Sequence, residues 1–533
     1  MQIGCIFNLL IYKIIIETMS FKEISELRKN GKLEDALAFA EENYNSVPDD
    51  IWNKRALGWV FYDLLKRYAS QNEYEAFIET IRKLLSLELD GDEQMIFDQC
   101  AYQVGKMVFA LAGDQAGNLP QIMDLFSILK NFHLSKPSAS YSFLFKAFHK
   151  ALKGRNEYMD FVKWWDFSNF SDSDFVEDEV KGKKIISLVE QAYIAYAKCL
   201  LALKAKNETN SGSNFPANTV EIDAFLARLD ILIASRPYYK FPPYYKAKLL
   251  LSLGRKEEFL HSFVPFARQN MKAFWTWELL ADAFENDSPQ KIACLCKSLS
   301  MNTDEKYLVT VRQKLASILV RTRKFVEAKI EVEKIIHTRE SNGWGIPQAL
   351  LSWTGEEWFR DEVTKKDNND LYSSYNNTAE LILFKDIEEE VVTVTHVNIE
   401  KKILNFIESE NRHGFFKYGN QIDDPNIGNI LEVRLQKINN DGMYSAYTVR
   451  ISRVTTCNTL KYFEGVTKII QPTGIGFVED IFIEPGMLLK YNIAEQQHIS
   501  GLALLSFNKK KNSWGWKAIK LNEHADFKNE LSL

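Results

Sequence analysis

The sequence predicts a multidomain α plus β protein, an N-terminal stack of α-helical hairpins followed by two small β-barrels. Three observations carry this reading. Apolar residues recur at helical spacing from about 20 to 336, a self-similar frame returns within that stretch, and from about 391 the rhythm changes to short β-branched runs. The 533 residues suit three or four domains of roughly 100–200 residues each. With 46% apolar and 26% charged residues and a formal charge of −5, the chain has an ordinary globular balance and is not a disordered one.

The segment from Ile3 to Ile16 is apolar but interrupted by Lys13, and it is shorter than the ~20 residues needed to span a bilayer. It lacks a basic lead and a small-residue cleavage site, so a signal peptide fits poorly and a membrane anchor is the lesser alternative. Met19 follows directly, and Ser20 with Glu23 forms a capping box for a first helix. Residues 1–18 therefore read as a mis-called start or a disordered leader. Six widely spaced Cys exclude a disulfide scaffold. Cys294 and Cys296 are too close for a zinc pair and no His pair completes a ligand set, which leaves reduced thiols, no metal and a cytoplasmic setting.

Within the helical stretch, Trp277, Leu280, Ala281 and Phe284 stand at i, i+3, i+4 and i+7 on one face. Small Ala281 admits a neighbouring helix closely while the large residues fill the space around it. The frame recurs ~34 residues upstream, with Ala247, Leu250, Gly254, Phe259 and Phe263, and ~35 downstream, with Leu315, Ala316, Leu319, Ala328, Val332 and Ile335. A further copy, with Gly31, Ala36, Pro48, Leu57, Gly58 and Phe61, starts the chain. This pattern resembles the tetratricopeptide repeat (TPR) family, specifically over 240–340 and more loosely over 20–66. The resemblance implies an α-α solenoid over 19–340 whose concave surface holds a protein partner. Between about 70 and 235 the frame fades into amphipathic helices and a polar loop at 207–214. Trp164, Trp165 and Phe167 there suit packing between degenerate repeats better than an exposed patch.

Trp275, Glu278, Asp282 and Glu285, at i, i+3, i+7 and i+10, form a different face from the packing residues. Three carboxylates beside a Trp favour a basic segment as the partner, with a plain solvated face as the alternative. The stretch 341–390 reads as a linker, and Glu388–Glu390 as a solvated edge before a strand. Asp49 and Asp50 suit a helix N-terminus.

Two sets of about five short strands follow, over 391–456 and 460–523, with a tail at 524–533. In the second set, Lys468, Gly474, Gly476, Phe477, Val478, Asp480, Phe482 and Ile483 resemble the cold-shock domain, a barrel of the oligonucleotide-binding (OB) type. The resemblance implies that Phe477 and Phe482 stack bases and that Lys468 meets phosphate. Ile469, Ile475 and Glu484 replace two rings and a His of that family's pattern, which puts the family's ligand in doubt. The first barrel interleaves aromatic and basic residues, Lys402, Phe406, Arg412, His413, Phe415, Phe416 and Lys417, as a single-strand platform needs. Alternation allows only one of Phe415 and Phe416 to face outward. Lys510, within Lys509–Lys511, and Trp514 and Trp516 extend the candidate set, although a hairpin tip of lysines is more often a solvated turn. Residues 396–522 carry 16 Lys+Arg against 12 Asp+Glu, a local charge of +4 that leaves −9 elsewhere.

Motifs for phosphate loops, nucleophile elbows, zinc proteases and dinucleotides are missing from the sequence. The expected function is a non-enzymatic adaptor without a cofactor. Its solenoid would bind a protein and its barrels single-stranded nucleic acid, RNA more than DNA. A pure protein scaffold with degenerate barrels and a component with an unrecognised catalytic site remain open, as does the oligomeric state. Proteins joining these two modules resemble the bacterial TOTE conflict systems in architecture, which implies a role in defence or stress.

Overall fold

A computed structural model describes residues 21–113, 118–180, 182–209, 216–360, 365–419, 421–439, 442–508 and 512–522. Segment 1–18, Ser20, Lys509–Lys511 (hence Lys510) and the tail lie outside the described residues. The chain forms two compact units that divide between Phe263 and Val264. This boundary falls inside the stretch 240–340 that the sequence reads as one continuous array.

The first unit is helical, with Leu33–Ser46, Ile51–Gln71 and Tyr74–Ser86 near its start and Leu188–Thr209, Pro216–Ser235 and Phe241–Ser252 near its end. Asp50 caps the second of these, its carboxylate accepting from the Asn53 amide at 2.9 Å as the sequence predicts. A two-stranded hairpin without a counterpart in the sequence reading joins β1 (Asp178–Val180) to β2 (Lys183–Ile185). The faded-repeat region is filled with rings. Tyr141 and Trp165 stack at 4.8 Å, the Tyr141 hydroxyl donates to the Trp165 carbonyl at 3.0 Å, and the Trp165 indole donates back to the Tyr141 carbonyl at 3.3 Å. Large aromatic side chains have taken over the packing that small-to-large repeat positions perform elsewhere. Trp165 and Phe167 are therefore core, and Trp164 is half-buried against Phe126 and Tyr141.

One joint recurs along the helices of both units. A residue in the left-handed conformation stands at the turn, Gly31 (φ 74°), Asn72 (φ 59°), Gly254 (φ 73°) and Arg323 (φ 58°). The following amide then bonds back five residues, as Lys32 to Leu27, Glu73 to Tyr68, Arg255 to Leu250 and Lys324 to Leu319, at 2.9–3.0 Å. This is a Schellman closure, which satisfies helix carbonyls that would otherwise be orphaned. Arginine is the one residue of the four poorly suited to positive φ, because its Cβ crowds the backbone there. Arg323→Gly is expected to raise stability by about 1 kcal/mol in a thermal melt.

In the second unit, Phe274–Ala281 pairs with Pro289–Leu299, and Glu305–Arg321 with Phe325–Ser341. Trp277, Leu280 and Ala281 are buried on the predicted packing face, as are Leu315, Ala316, Leu319, Ala328, Val332 and Ile335. The expected linker at 341–390 is instead mostly helical, with Gln348–Thr354, Glu357–Arg360, Asn369–Ser374 and Asn376–Phe384. Leu350, Tyr372, Ala379, Leu383 and Phe384 are buried. Glu331, fully buried, accepts from Arg312 at 2.5 Å, from Asn368 at 2.7 Å and from the Tyr372 hydroxyl. Arg312 also grips both oxygens of Glu305 at 2.8 and 2.9 Å. The polar composition that suggests a linker thus pays for a buried ionic knot.

The first barrel comprises β3 (Glu390–Asn398), β4 (Ile403–Ser409), β5 (Arg412–Lys417), β6 (Ile430–Lys437) and β7 (Tyr444–Ile451), in the order β5-β4-β3-β6-β7. A parallel bridge between Phe415 and Met443 closes it. Gly414 permits that closure, since a Cβ there would run into the Gly442 carbonyl oxygen and the Tyr444 ring. The second barrel comprises β8 (Leu460–Val466), β9 (Lys468–Ile470), β10 (Ile475–Val478), β11 (Ile481–Ile483), β12 (His498–Asn508) and β13 (Ser513–Leu521). Its order is β8-β12-β13-β11-β10-β9, with β8 and β9 halves of one bent strand and β11 parallel to β13. The strands therefore form two small OB-type barrels.

Candidate nucleic-acid interface

Each barrel builds its outward face from strand alternation. Along β5, His413, Phe415 and Lys417 lie on one side, exposed or half-exposed, while Phe416 is 0% exposed in the core. Phe406 is also core, at 1%, packed against Phe416 and Tyr444. Phe406 and Phe416 are therefore corrected from stacking candidates to barrel core. Polar Asn405, half-exposed between Leu404 and Phe406, marks the outward parity of β4 and is the sequence signal for this. Arg412 is also corrected. Its guanidinium is committed to the Glu390 carboxylate and lies 5.5 Å over the Tyr444 ring. Lys402 and Lys417 meet at one end of the barrel, where the Tyr418 amide donates to the Lys402 carbonyl at 3.0 Å and Lys417 faces Ile403.

Of the acidic run expected as a solvated edge, Glu388 is exposed, but Glu389 and Glu390 are committed to ion pairs. Glu389, with Glu380 from the helix Asn376–Phe384, clamps Arg434 on β6 and Arg450 on β7, three of the contacts spanning 3.1–3.3 Å. Tyr447 of β7 lies 5.5 Å from Phe384. That face of the first barrel is covered.

In the second barrel, Phe477 on β10 faces Phe482 on β11, their half-exposed rings meeting edge-on at 5.8 Å. Exposed Lys468 is opposite Phe477 from the other side. These three residues come together as the cold-shock resemblance implies. The replaced positions stand beside them. Ile475 pairs with Ile470, and Glu484 binds Lys517 at 2.5 Å. Trp516 packs against the barrel core under Lys461, whose ammonium is 4.3 Å from the ring, so it is corrected from free platform to capped core edge.

Trp514 belongs to neither barrel alone. Ile407 and Ile430 of the first and Leu460 and Leu504 of the second form a buried cluster, with Leu505, Ile519 and Trp514 packed on it. The Thr393 and Thr459 hydroxyls bond across the junction at 2.8 Å. Beside this seam opens a cleft of about 740 Å³ lined by His413, Phe415 and Trp514 of the sequence-predicted set, with the core residue Phe406 at its wall, and by Phe507, which the sequence reading missed. Its signal was its place, six residues before Ser513 in a hairpin that sets it opposite Trp514.

The proposed protein-binding face is only partly assembled. The helix carrying Trp275 and Glu278 ends at Ala281, so Asp282 is its C-cap and Glu285 lies in the turn beyond. Lys314 from the next hairpin binds Glu278 at 3.1 Å and Asp282 at 3.0 Å. Two of the three carboxylates offered to a basic segment thus share one ammonium, which halves the charge of that pair. Trp275 is half-exposed and 6.0 Å from Phe266.

Comparison with known proteins adds family relationships. Residues 240–379 match a domain of unknown function, DUF7017, which covers the clear hairpins and the helical segment after them. No curated protein matches the chain. Among solved structures, the "Crystal Structure of the Yeast Tom70" aligns at 11% identity over 69% of this chain and 96% of that one. Its TM-score of 0.15 lends no support to an argument. No helix among the described residues is long and apolar enough to cross a membrane. Residues 384–447 match S1/CSD-like domain 1 of the TOTE conflict systems and residues 461–521 match S1/CSD-like domain 2, so the C-terminal part of the chain carries this tandem pair in its family order.

Proposed function

We propose that the chain is a non-enzymatic adaptor whose S1/CSD-like pair binds single-stranded nucleic acid, RNA in preference to DNA, while its helical hairpins hold a protein partner. A cytoplasmic place in a bacterial defence or stress system accords with the TOTE match. The observation that carries the nucleic-acid reading is the clustering of Lys468, Phe477 and Phe482 on one outward barrel face. Rings of this kind stack bases without regard to sequence, and a neighbouring ammonium supplies the salt-sensitive term. The geometry offers the helical region no comparably specific partner, because Lys314 occupies the acidic face.

Fluorescence anisotropy of the full chain with labelled oligonucleotides tests this. Affinity is expected to fall with rising salt, and Phe477→Ala to weaken binding about 5- to 100-fold, the range for one stacked base. Absence of salt-sensitive binding would overturn it. The second reading, a protein scaffold with degenerate barrels, draws on Glu484 and its ion pair with Lys517. It predicts partners that stay bound after nuclease treatment and no oligonucleotide affinity.

A further inference from the structure

We infer that the cleft between the two barrels is a base-selective pocket, built jointly by both, for one unpaired nucleobase of a single strand. The inference rests on the nucleic-acid reading above and adds a location, a recognition chemistry and a requirement for both barrels.

The walls come from different domains. The first barrel contributes the outward face of β4 and β5, with Asn405 directly opposite Phe415. The second contributes Phe507 and Trp514 from its long hairpin. Trp514 is the hinge of the arrangement, edge-on to His413 at 5.2 Å and to Phe507 at 5.3 Å. Edge-on contacts between rings use one face and one rim, and so leave ring area for a further planar group. Phe507 is 43% exposed, a cost in water that a stacked base would remove.

The polar groups make a base the fitting occupant rather than a greasy side chain. The Asn405 amide, the Thr395 and Ser506 hydroxyls and the Lys437 ammonium all line the cleft, and none makes a side-chain hydrogen bond among the described residues. An amide offers a donor and an acceptor side by side, the pairing that reads a base edge, while an ammonium suits the attached phosphate. Rings plus a few convergent polar groups in a concavity of this size are the general form of a small planar-ligand site. The junction is rigid enough to hold such a site. The seam is apolar and buried, and Gly428 of the first barrel lies so close to Ile519 of the second that a Cβ there would be 2.5 Å from its Cδ1.

The stacking platform at Phe477 and Phe482 pairs rings with the cation of Lys468, whereas the cleft sets an amide beside its rings. The two sites therefore predict different phenotypes. Anisotropy of the full chain with single-stranded rA, rC, rG and rU oligomers is expected to show unequal affinities. Asn405→Ala is expected to level them, and Phe507→Ala to weaken the preferred oligomer about tenfold. Phe477→Ala is expected to weaken all four alike. A competition arm with the matching nucleoside monophosphate separates a base within a strand from a free nucleotide. Displacement by millimolar mononucleotide alone, without oligomer preference, would assign the cleft to free nucleotides and overturn the strand-borne base. Equal affinity of the parent chain for all four oligomers, or a preference unchanged in both Asn405→Ala and Phe507→Ala, would overturn the pocket while leaving the general nucleic-acid reading standing. Failure of the parent chain to bind any oligomer would remove both. Unchanged thermal melts of the variants establish that folding is intact, and both positions are half-exposed or exposed.

Discussion

Glu331→Gln is expected to cost about 3–5 kcal/mol, the usual penalty for removing one partner of a buried ion pair. The carboxylate is the centre of a knot with Arg312, Asn368 and Tyr372, and neither charged member reaches water. Removing its charge leaves Arg312, 3% exposed, with Glu305 as its one remaining carboxylate partner among the described residues, and that group is itself half in solvent. Because Asn368 and Tyr372 precede the helix that clamps the first barrel, the loss should concentrate there. Hydrogen exchange would read it as faster opening of residues 365–384 than of the hairpin 274–299. Tyr372→Phe, which removes the hydroxyl's bonds with Glu331 and Arg312 but no charge, should cost less, about 2–3 kcal/mol. A Glu331→Gln chain with unchanged protection over 365–384 would show that the knot holds nothing.

The second large effect is acid sensitivity centred on His149. The imidazole is buried among Phe145 and Tyr158, with its Nδ1 2.7 Å from the Tyr158 hydroxyl. Burial, assisted by the charge of Lys153, pushes its pKa down to about 4 from the ordinary 6.5. The folded form therefore keeps a neutral ring where the unfolded chain takes up a proton. This contribution is complete above pH 6.5, shrinks as pH falls and is lost by about pH 4, a total of roughly 3 kcal/mol. Melts at pH 7, 6, 5 and 4 should show a falling midpoint for the first unit. His149→Gln, which cannot titrate but can still bond Tyr158, should be flatter over the same window. Parallel slopes for the two chains would assign the acid sensitivity elsewhere.

The fold was largely legible because both kinds of rhythm survive in the sequence. The 3.6-residue recurrence at Trp277, Leu280 and Ala281 and the two-residue recurrence along β5 are local properties, set by which side of an element meets the core. Errors arose where the decisive neighbour is distant in sequence. Arg412 looked like a free cation until Glu390 met it across the sheet. Glu278 and Asp282 looked like an acidic face until Lys314 arrived from the next hairpin. The supposed linker misled for the same reason, since Asn368 and Tyr372 seem like loop residues without Glu331 to receive them. Phe406 was a different failure. Its parity was available from Leu404 and Asn405, and composition was allowed to outweigh alternation. The candidate site divided along the same line. Lys468, Phe477 and Phe482 lie within one local meander, so their proximity is legible in the sequence, whereas the cleft needs Asn405 and Phe507, about a hundred residues apart.

The seam of Ile407, Ile430, Leu460 and Leu504 changes what counts as a module in this chain. A cut near Asn458 would strip each half of its cover and leave two sticky fragments prone to self-association, so neither should be obtainable alone as a well-behaved monomer. Recombination between relatives would meet the same penalty. Exchange of the pair would keep the seam intact and exchange of one member would not, which makes the crease between them the interior of a single heritable piece.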